Sequence, residues 1–151
     1  MIKVKNINDF SVDTEDYDLV LKIRQEADIA VARQMVKDFA KKNGFSLADV
    51  TKIATVVSEL SRNIQRYAKK GYICARKKHG KDGNVLLEVL AYDNGPGIKD
   101  VELAVTGGYT TSQRSLGLGL SGVRRLMDTF KIISEEGKGT IVITEIRRRT
   151  F

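Results

Sequence analysis

The stretch SELSRNIQRYAKKG, residues 58–71, decides the fold predicted for this chain. It ends a helix-like segment that begins at Ser46 and runs to about Lys69, where the lysines suit the negative end of a helix dipole. Glu59 and Asn63 are four residues apart on that helix and therefore lie on one face. From the residues alone, two interpretations stay open: a polar stripe that faces water, or an acid and an amide that act on a ligand.

Helical periodicity also appears before and after this stretch. Apolar residues recur at steps of three and four from Asp28 to a stop at residues 43–44, and residues 119–129 repeat the pattern. The helix that begins at Ser46 has one apolar face, which we expect to be buried. That face consists of Val50, Ile53, Ala54, Val57, Leu60 and Ile64.

Runs rich in β-branched and apolar residues predict strands between these helices. The predicted strands are residues 19–23, 72–78, 85–92, 130–134 and 140–147. Their order along the chain predicts an α/β sandwich, with a mixed, mostly antiparallel sheet and helices on one face. Residues 1–18 lack periodicity and are interpreted as an N-terminal extension or an edge strand, ahead of one domain over residues 19–151.

Length and charge favour an ordinary single domain. The chain has 151 residues and a formal net charge of +7, which raises nucleic acid or an acidic protein surface as partners. The basic clusters at residues 76–78, 124–125 and 147–149 lie far apart and lack aromatic or zinc-ligand spacing. A solvated basic face explains them most simply, an acidic protein or a nucleotide comes next, and nucleic acid is not favoured.

Cys74 is the single cysteine, so no disulfide forms within the chain. This agrees with a reducing cytoplasm. Cys74 lies in a strand-like run where a small apolar residue is expected, and we do not interpret it as a catalytic thiol. The N-terminal residues contain no apolar run long enough for a signal peptide or a membrane span. The sequence therefore predicts a cytoplasmic protein without a membrane partner.

The motif DNGPGI, residues 93–98, follows directly after a predicted strand. A carboxylate at the end of a strand, followed by two glycines, suits close approach of the backbone to a planar ligand. Asp93 is placed to accept a hydrogen bond from the amino group of adenine, a contact that discriminates strongly between bases. An ordinary turn explains these residues equally well, because aspartate, asparagine, glycine and proline are all typical of turns.

A glycine-rich segment, SLGLGLSGV at residues 115–123, opens the last predicted helix. Its glycines allow backbone N–H groups to face an anion at the positive end of that helix. The segment is not a P-loop, and it lacks the preceding strand that a dinucleotide-binding GxGxxG requires. The polar residues 106–114 before it are interpreted as a mobile lid, with Arg114 as either a γ-phosphate contact or an exposed loop residue.

These blocks, in this order and spacing, resemble the GHKL ATPase superfamily, which includes gyrase B, Hsp90, MutL and the histidine kinases. The N-box corresponds to residues 59–63, the first glycine box to residues 93–97 and the second to residues 117–120. Gly139 and Thr140 match the place where such proteins complete the adenine pocket. The resemblance implies a Bergerat-type α/β sandwich that binds ATP and Mg²⁺.

Within that superfamily the chain is most similar to the RsbT-type serine/threonine protein kinases, switch proteins of the bacterial stressosome. The similar segments are residues 58–71, 93–98, 108–112 and 116–130, within a resemblance over about residues 20–147. It implies phosphorylation of a serine or threonine on STAS-domain scaffold or antagonist proteins. It also implies that the released kinase activates a PP2C-type phosphatase by binding its regulatory domain.

The resemblance also implies a role for each matching residue. Glu59 is the implied general base, Asn63 the implied Mg²⁺ ligand and Asp93 the residue that reads adenine. The other implied nucleotide-binding residues are Arg66, Gly95, Gly97, Arg114, Gly117, Leu118, Gly119, Leu120 and Thr140. His79 is the only histidine, and because it is predicted in a hairpin loop it is not interpreted as a phosphoacceptor.

Three classes of function are consistent with these observations. A protein kinase needs a carboxylate such as Glu59 to accept the proton of the attacking hydroxyl. An anti-sigma factor or partner-switching protein, in which ATP only sets the conformation, does not need that carboxylate. A basic nucleic-acid binder predicts salt-sensitive DNA affinity without ATP dependence. Glu59 therefore favours the kinase.

Overall fold

A five-stranded antiparallel sheet forms the centre of the fold. The computed structural model of the chain describes residues 4–6, 11–106 and 119–149. A small ribbon pairs β1 (Val4–Asn6) with β2 (Ser11–Val12), and the main sheet contains β3 (Leu19–Ile23), β4 (Gly71–His79), β5 (Val85–Asp93), β6 (Thr129–Glu135) and β7 (Gly139–Arg147). The strand order across the main sheet is β3-β4-β5-β7-β6.

The predicted α/β sandwich is confirmed, and each predicted strand forms. Every pairing in the main sheet is antiparallel, so the described residues lack the parallel component of the predicted mixed sheet. Two of these pairings follow from the connectivity, because β4–β5 and β6–β7 are hairpins, and hairpin strands pair antiparallel. His79 pairs with Val85 as the last residue of β4, and the loop of this hairpin begins after it.

The α-helices of the described residues are α1 (Glu26–Lys42), α2 (Leu47–Asn63), α3 (Val101–Thr106) and α4 (Gly119–Leu126). Helix α1 begins ahead of the predicted Asp28 because the Asp28 carboxylate accepts the backbone N–H of Gln25 at 3.1 Å. Helix α2 begins after Ser46, whose hydroxyl accepts the N–H of Asp49 at 3.2 Å. None of these helices has both the length and the hydropathy needed to cross a lipid bilayer.

Helix α2 changes its winding at its C-terminal end. After Asn63 the chain continues as a π-helical turn over Ile64–Ala68, so the helix predicted to about Lys69 has the right extent but two types of winding. Lys69 then adopts a positive φ of 72°, which turns the chain toward β4. Wide turns of this kind frequently lie at functional sites.

Helix α3 lies between the turn at residues 93–98 and the predicted lid, where the sequence predicts no helix or strand. It has six residues, too few for a helical period to be recognised. The Asp100 carboxylate accepts the N–H of Leu103 at 3.0 Å and caps its first turn. Ala104 of this helix is buried in the main core, so α3 closes one side of the space between the helices and the sheet.

The helices cover one face of the sheet, as predicted. Every residue of the predicted apolar face of α2 is buried. Helix α1 buries Ala32, Val36 and Ala40, whereas Met35 is 41% exposed because it lies at the edge of this stripe. The main core therefore lies between the two long helices and the sheet.

The N-terminal segment covers the opposite face of the sheet. Tyr17 packs there with Cys74, Leu90 and Ile141 in a second, smaller core, and Val12 packs against that core. Val12 and Tyr17 thus contribute to the folded structure. The boundary between an extension at residues 1–18 and a domain at residues 19–151 stays a prediction.

Candidate functional site

A cavity of about 330 Å³ lies between the helices and the sheet, near the end of β5 and the start of β7. The C-terminal part of α2, its π-helical turn, α3, α4 and the loop after β5 also contribute to its walls. Most of the lining is apolar, and charged or amide groups come from Asn63, Arg66, Asp93 and Lys99. A cavity of this size, with a mostly apolar lining and a few polar groups at defined positions, is typical of small-molecule sites.

Most of the predicted site residues in the described parts of the chain meet at this cavity. Those that line it are Asn63, Arg66, Asp93, Gly97, Gly119, Leu120 and Thr140. Gly95 lies behind the wall, where an added Cβ would come within 2.5 Å of the Ala68 Cβ. Glu59 is adjacent, through a contact with Gly119. Arg114, Gly117, Leu118 and the similar segment at residues 108–112 lie outside the described residues.

Asp93 ends β5 and presents its carboxylate at the cavity. Its Oδ1 accepts the backbone N–H of Gly95 at 2.9 Å, and the N–H of Thr140 on β7 also donates to this carboxylate. Burial raises the pKa of Asp93 above its ordinary value, and the two N–H donors oppose that shift. A fixed, partly desolvated carboxylate in an apolar cavity is suited to accept a hydrogen bond from an amino group of a ligand.

The glycine box packs against the turn between β6 and β7. Gly97 has a φ of +79°, and a Cβ on it would lie 2.3 Å from the carbonyl oxygen of Glu135. The N–H of Gly137 donates to the Pro96 carbonyl at 2.8 Å in the same region. The sequence predicts close approach of these glycines to a ligand, whereas in the structure Gly97 approaches the protein backbone. This contact fixes the loop that forms a wall of the cavity.

Ser134 connects the glycine box to both strands of the last hairpin. Its Oγ accepts the N–H of Ile98 at 2.7 Å and lies 2.8 Å from the hydroxyl oxygen of Thr140. The Ser134 hydroxyl also donates to the Gly139 carbonyl at 3.1 Å. Sequence reasoning does not identify Ser134, although a hydroxyl in an otherwise apolar run is visible, because its partner Ile98 is 36 residues away.

Glu59 joins α2 to the beginning of α4. Its carboxylate is nearly buried, with 8% of the side chain exposed. Oε1 accepts a hydrogen bond from Nη1 of Arg62 at 2.7 Å, and Oε2 accepts the backbone N–H of Gly119 at 3.3 Å. Negative charge at a helix N-terminus is stabilised by the helix dipole. The predicted general base therefore lies at the start of the helix that the glycine-rich segment opens.

Asn63 and Arg66 lie on the cavity side of the region where α2 becomes a π-helical turn. The Arg66 side chain is exposed, and its guanidinium carbon lies 5.9 Å from the centroid of the Tyr67 ring. In the described residues, no group of three His, Cys, Asp or Glu side chains is arranged to hold a metal ion. The amide oxygen of Asn63 lines the cavity and is a hard oxygen ligand of the kind that Mg²⁺ accepts.

Sequence reasoning does not identify the apolar walls of the cavity. These walls include Leu60, Ile64, Ala91, Pro96, Ile98, Ala104 and Val142. Helical periodicity predicts Leu60 and Ile64 to be buried, but it does not distinguish a residue that faces a cavity from one packed in the core. Ala104 lies on α3, the helix that the sequence does not reveal.

The chain matches a protein-family model described as "Histidine kinase-, DNA gyrase B-, and HSP90-like ATPase". The match spans residues 48–150, a range that contains every residue lining the cavity. The match covers α2 from its second residue and all later elements of the fold.

The chain is also similar to curated proteins and to solved structures, among them the following three. It is 44% identical over 122 residues to serine/threonine-protein kinase RsbT of Bacillus subtilis (strain 168), which covers 80% of this chain and 89% of the relative. It is 33% identical over 115 residues to the anti-sigma F factor of Caldanaerobacter subterraneus subsp. tengcongensis, covering 74% of this chain and 79% of that protein. A chain of the SiaB-SiaC complex from Pseudomonas aeruginosa matches with a TM-score of 0.58 at 13% identity, covering 86% of this chain and 89% of that chain. At that identity the structural likeness shows the fold alone.

Proposed function

Because this chain belongs to the histidine kinase-, DNA gyrase B- and HSP90-like ATPase family, we propose that its cavity binds ATP with Mg²⁺. It is a serine/threonine protein kinase of the RsbT type, by its 44% identity to that enzyme over 89% of the enzyme's length.

In this proposal the apolar part of the cavity holds the adenine ring, and Asp93 accepts a hydrogen bond from its amino group. The partial desolvation of Asp93 supports this role, because a buried carboxylate gains most from a matched donor. The triphosphate extends toward Asn63 and the start of α4. Asn63 is the protein ligand of Mg²⁺, which neutralises phosphate charge when bound. Arg66 contributes further positive charge on the same side of the cavity.

The position of Glu59 is the observation that carries the proposal. Phosphoryl transfer depends on positioning and electrostatic stabilisation, with a carboxylate to accept the proton of the attacking hydroxyl. Glu59 is nearly buried between α2 and the first residue of α4, beside the cavity. A protein that only binds nucleotide has no need to hold a carboxylate in that position.

We further propose that the acceptor is a serine or threonine of a STAS-domain scaffold or antagonist protein. Release from that protein then allows the kinase to bind and activate the regulatory domain of a PP2C-type phosphatase. The 33% identity to an anti-sigma F factor supports partner binding of this general kind. That identity also raises the second candidate function, an anti-sigma or partner-switching protein in which ATP sets conformation without essential phosphate transfer.

The test is transfer of labelled phosphate from Mg·ATP to a STAS-domain protein. We expect label on serine or threonine with the wild-type protein. Glu59→Gln should lower the transfer rate by about 10² to 10⁴, the usual contribution of a general base, while ATP still binds. The matched control is Glu26→Gln, which neutralises an exposed glutamate in the first turn of α1 and should leave transfer unchanged.

Two results would contradict this proposal. Tight ATP binding without transfer to any STAS-domain protein would favour the second candidate function. Transfer at the wild-type rate by Glu59→Gln would show that Glu59 is not the base. Nucleotide affinity is measured by calorimetry in each case, so that a loss of binding is not mistaken for a loss of chemistry.

A further inference from the structure

The ion pair between Arg62 and Glu59 has no role in the function proposed above. We propose that Arg62 is a positioning residue, which holds the Glu59 carboxylate in its orientation when the triphosphate is bound. This inference rests on the proposed kinase function, because it concerns the group that accepts the proton in that reaction.

The two oxygens of Glu59 are held by different elements of the fold. Arg62 is three residues further along α2, and its Nη1 lies 2.7 Å from Oε1 of Glu59. Oε2 accepts the N–H of Gly119 at the start of α4. Half of the Arg62 side chain is exposed, in contrast to the nearly buried Glu59. The pair therefore consists of a desolvated carboxylate and a cation that reaches it from the solvent side.

The charges that take part in the proposed reaction explain why the ion pair between Arg62 and Glu59 matters. A desolvated carboxylate is costly unless a cation or hydrogen-bond donors compensate it. Binding of ATP adds several negative charges beside Glu59, and the triphosphate competes for the positive end of α4. Without Arg62, Oε1 of Glu59 would lose its hydrogen-bond donor, and the carboxylate would turn away from the orientation it holds beside Gly119. This change misplaces the proton acceptor while the cavity itself stays intact.

Arg62 acts through Glu59 rather than on the nucleotide. In the described part of the chain, Arg66 lines the cavity and Arg62 does not. Within the described parts of the chain, the polar contact of the Arg62 side chain is the ion pair with Glu59. Substitution of Arg62 should therefore have an effect only while Glu59 carries its charge.

Helix α2 also supplies a matched control pair. Lys52 and Asp49 are again three residues apart, with an Nζ–Oδ1 distance of 3.8 Å and a similarly buried carboxylate. Neither residue lines the cavity. Lys52→Gln thus removes a cation that lies beside a buried carboxylate of the same helix, at a distance from the proposed chemistry. Arg149 also pairs with Asp49, at 3.7 Å, and remains in this variant.

The first experiment is a double-mutant cycle on the rate of phosphate transfer at saturating Mg·ATP. We expect Arg62→Gln to lower the rate about tenfold, and Arg62→Lys, which keeps the charge, to recover most of it. Lys52→Gln should transfer at the wild-type rate. The double variant Glu59→Gln/Arg62→Gln should be no slower than Glu59→Gln alone, because residues that act as one unit are not additive. An additive further loss would show that Arg62 acts independently of Glu59 and would overturn the inference.

The second experiment applies the same double-mutant cycle to the affinity for Mg·ATP. It tests whether Arg62 acts through Glu59 even if no phosphate is transferred. Arg62→Gln should weaken binding about fivefold, because the uncompensated carboxylate repels the triphosphate. The double variant should bind at least as tightly as the wild type. Weak binding that persists in the double variant would mean direct contact between Arg62 and the nucleotide, and unchanged binding in Arg62→Gln would mean no role. Absence of transfer by the wild type would contradict the proposed function alone.

Discussion

The hydroxyl of Tyr17 donates a hydrogen bond of 2.5 Å to Oε2 of Glu88, a residue 71 positions later in the sequence. Glu88 has no exposed surface, and its cationic partners are Arg76 at 3.3 Å and Lys78 at 3.2 Å. The Arg76 guanidinium carbon also lies 4.6 Å from the centroid of the Tyr17 ring. Burial, together with the hydrogen bond to Glu88, raises the pKa of Tyr17 above its ordinary value. The N-terminal segment is therefore attached to the sheet by a buried charged network as well as by apolar contact.

Tyr17→Phe should lower the free energy of unfolding by about 1–3 kcal/mol, because it removes a donor from a buried carboxylate and leaves the ring in place. Urea denaturation measures this change. Tyr67→Phe is the control for stability, since the Tyr67 side chain is 55% exposed. An unchanged midpoint in Tyr17→Phe would show that Arg76 and Lys78 alone satisfy Glu88.

Asp93→Asn should abolish the recognition of adenine without destabilising the fold. Asparagine keeps a carbonyl oxygen for the N–H of Gly95, but it presents an amide instead of a charged acceptor. We expect ATP affinity to fall about a hundredfold, in line with the loss of a charge-assisted hydrogen bond. Calorimetric titration measures the affinity, and wild-type binding by this variant would mean that Asp93 does not contact the base.

The difference in stability between the wild type and Asp93→Asn should depend on pH in a defined direction. Burial raises the pKa of Asp93 in the folded protein, so the folded state favours the protonated carboxyl. The contribution of protonated Asp93 to stability is fully present below the pKa of about 3.9 that the group has in the unfolded chain. It is lost as the pH rises through the pKa of the folded state. The asparagine variant should therefore be at least as stable as the wild type at pH 7, with a smaller advantage near pH 4. Urea unfolding at both pH values tests this, and a less stable variant at pH 7 would contradict it.

Gly97→Ala should disturb the cavity more than an equivalent change elsewhere. Gly97 and Gly83 both have a φ of +79°, but a Cβ at Gly83 meets nothing within 4 Å, whereas at Gly97 it would lie 2.3 Å from the Glu135 carbonyl oxygen. Both alanine variants should carry a backbone cost of about 1 kcal/mol. Gly97→Ala should lose a further 1–3 kcal/mol or so from the clash, together with ATP affinity. Equal stability of the two variants would mean that the loop moves freely away from the turn.

Cys74 should be unreactive in the folded protein. Burial, and to a smaller extent the Glu88 carboxylate, raises the pKa of its thiol to about 12, so very little thiolate exists at neutral pH. Iodoacetamide should label Cys74 only after urea unfolding, as followed by mass spectrometry. Rapid labelling under native conditions would show that the N-terminal segment leaves the sheet, and Cys74→Ala should retain phosphate transfer.

Sequence periodicity predicts the regular elements well, because a helix or strand with one buried face must repeat its apolar residues at a fixed step. The apolar face of α2 is the best example, since all of its predicted residues are buried. Helix α3 is not predicted in this way, because it is shorter than two turns and shows no repeat. The π-helical turn also escapes prediction, since it changes winding without changing the apolar pattern.

The candidate site is predicted in part for a similar reason. Residues such as Asp93 and Gly97 carry a chemical signal of their own, a carboxylate at a strand end and a glycine in a turn. The apolar walls carry none, because Ala91 and Val142 look like ordinary strand residues. Ser134 and Arg62 acquire their importance from what they contact.

The sequence by itself determined which chemical groups the chain carries and which face of each element is apolar, since both follow from local composition and period. It also determined the family through the order and spacing of its motifs. The tertiary structure alone decided that Oε2 of Glu59 meets the N–H of Gly119, 60 residues later, and that Tyr17 meets Glu88. Such contacts depend on how the helices pack on the sheet and on the strand order, which local interactions do not specify.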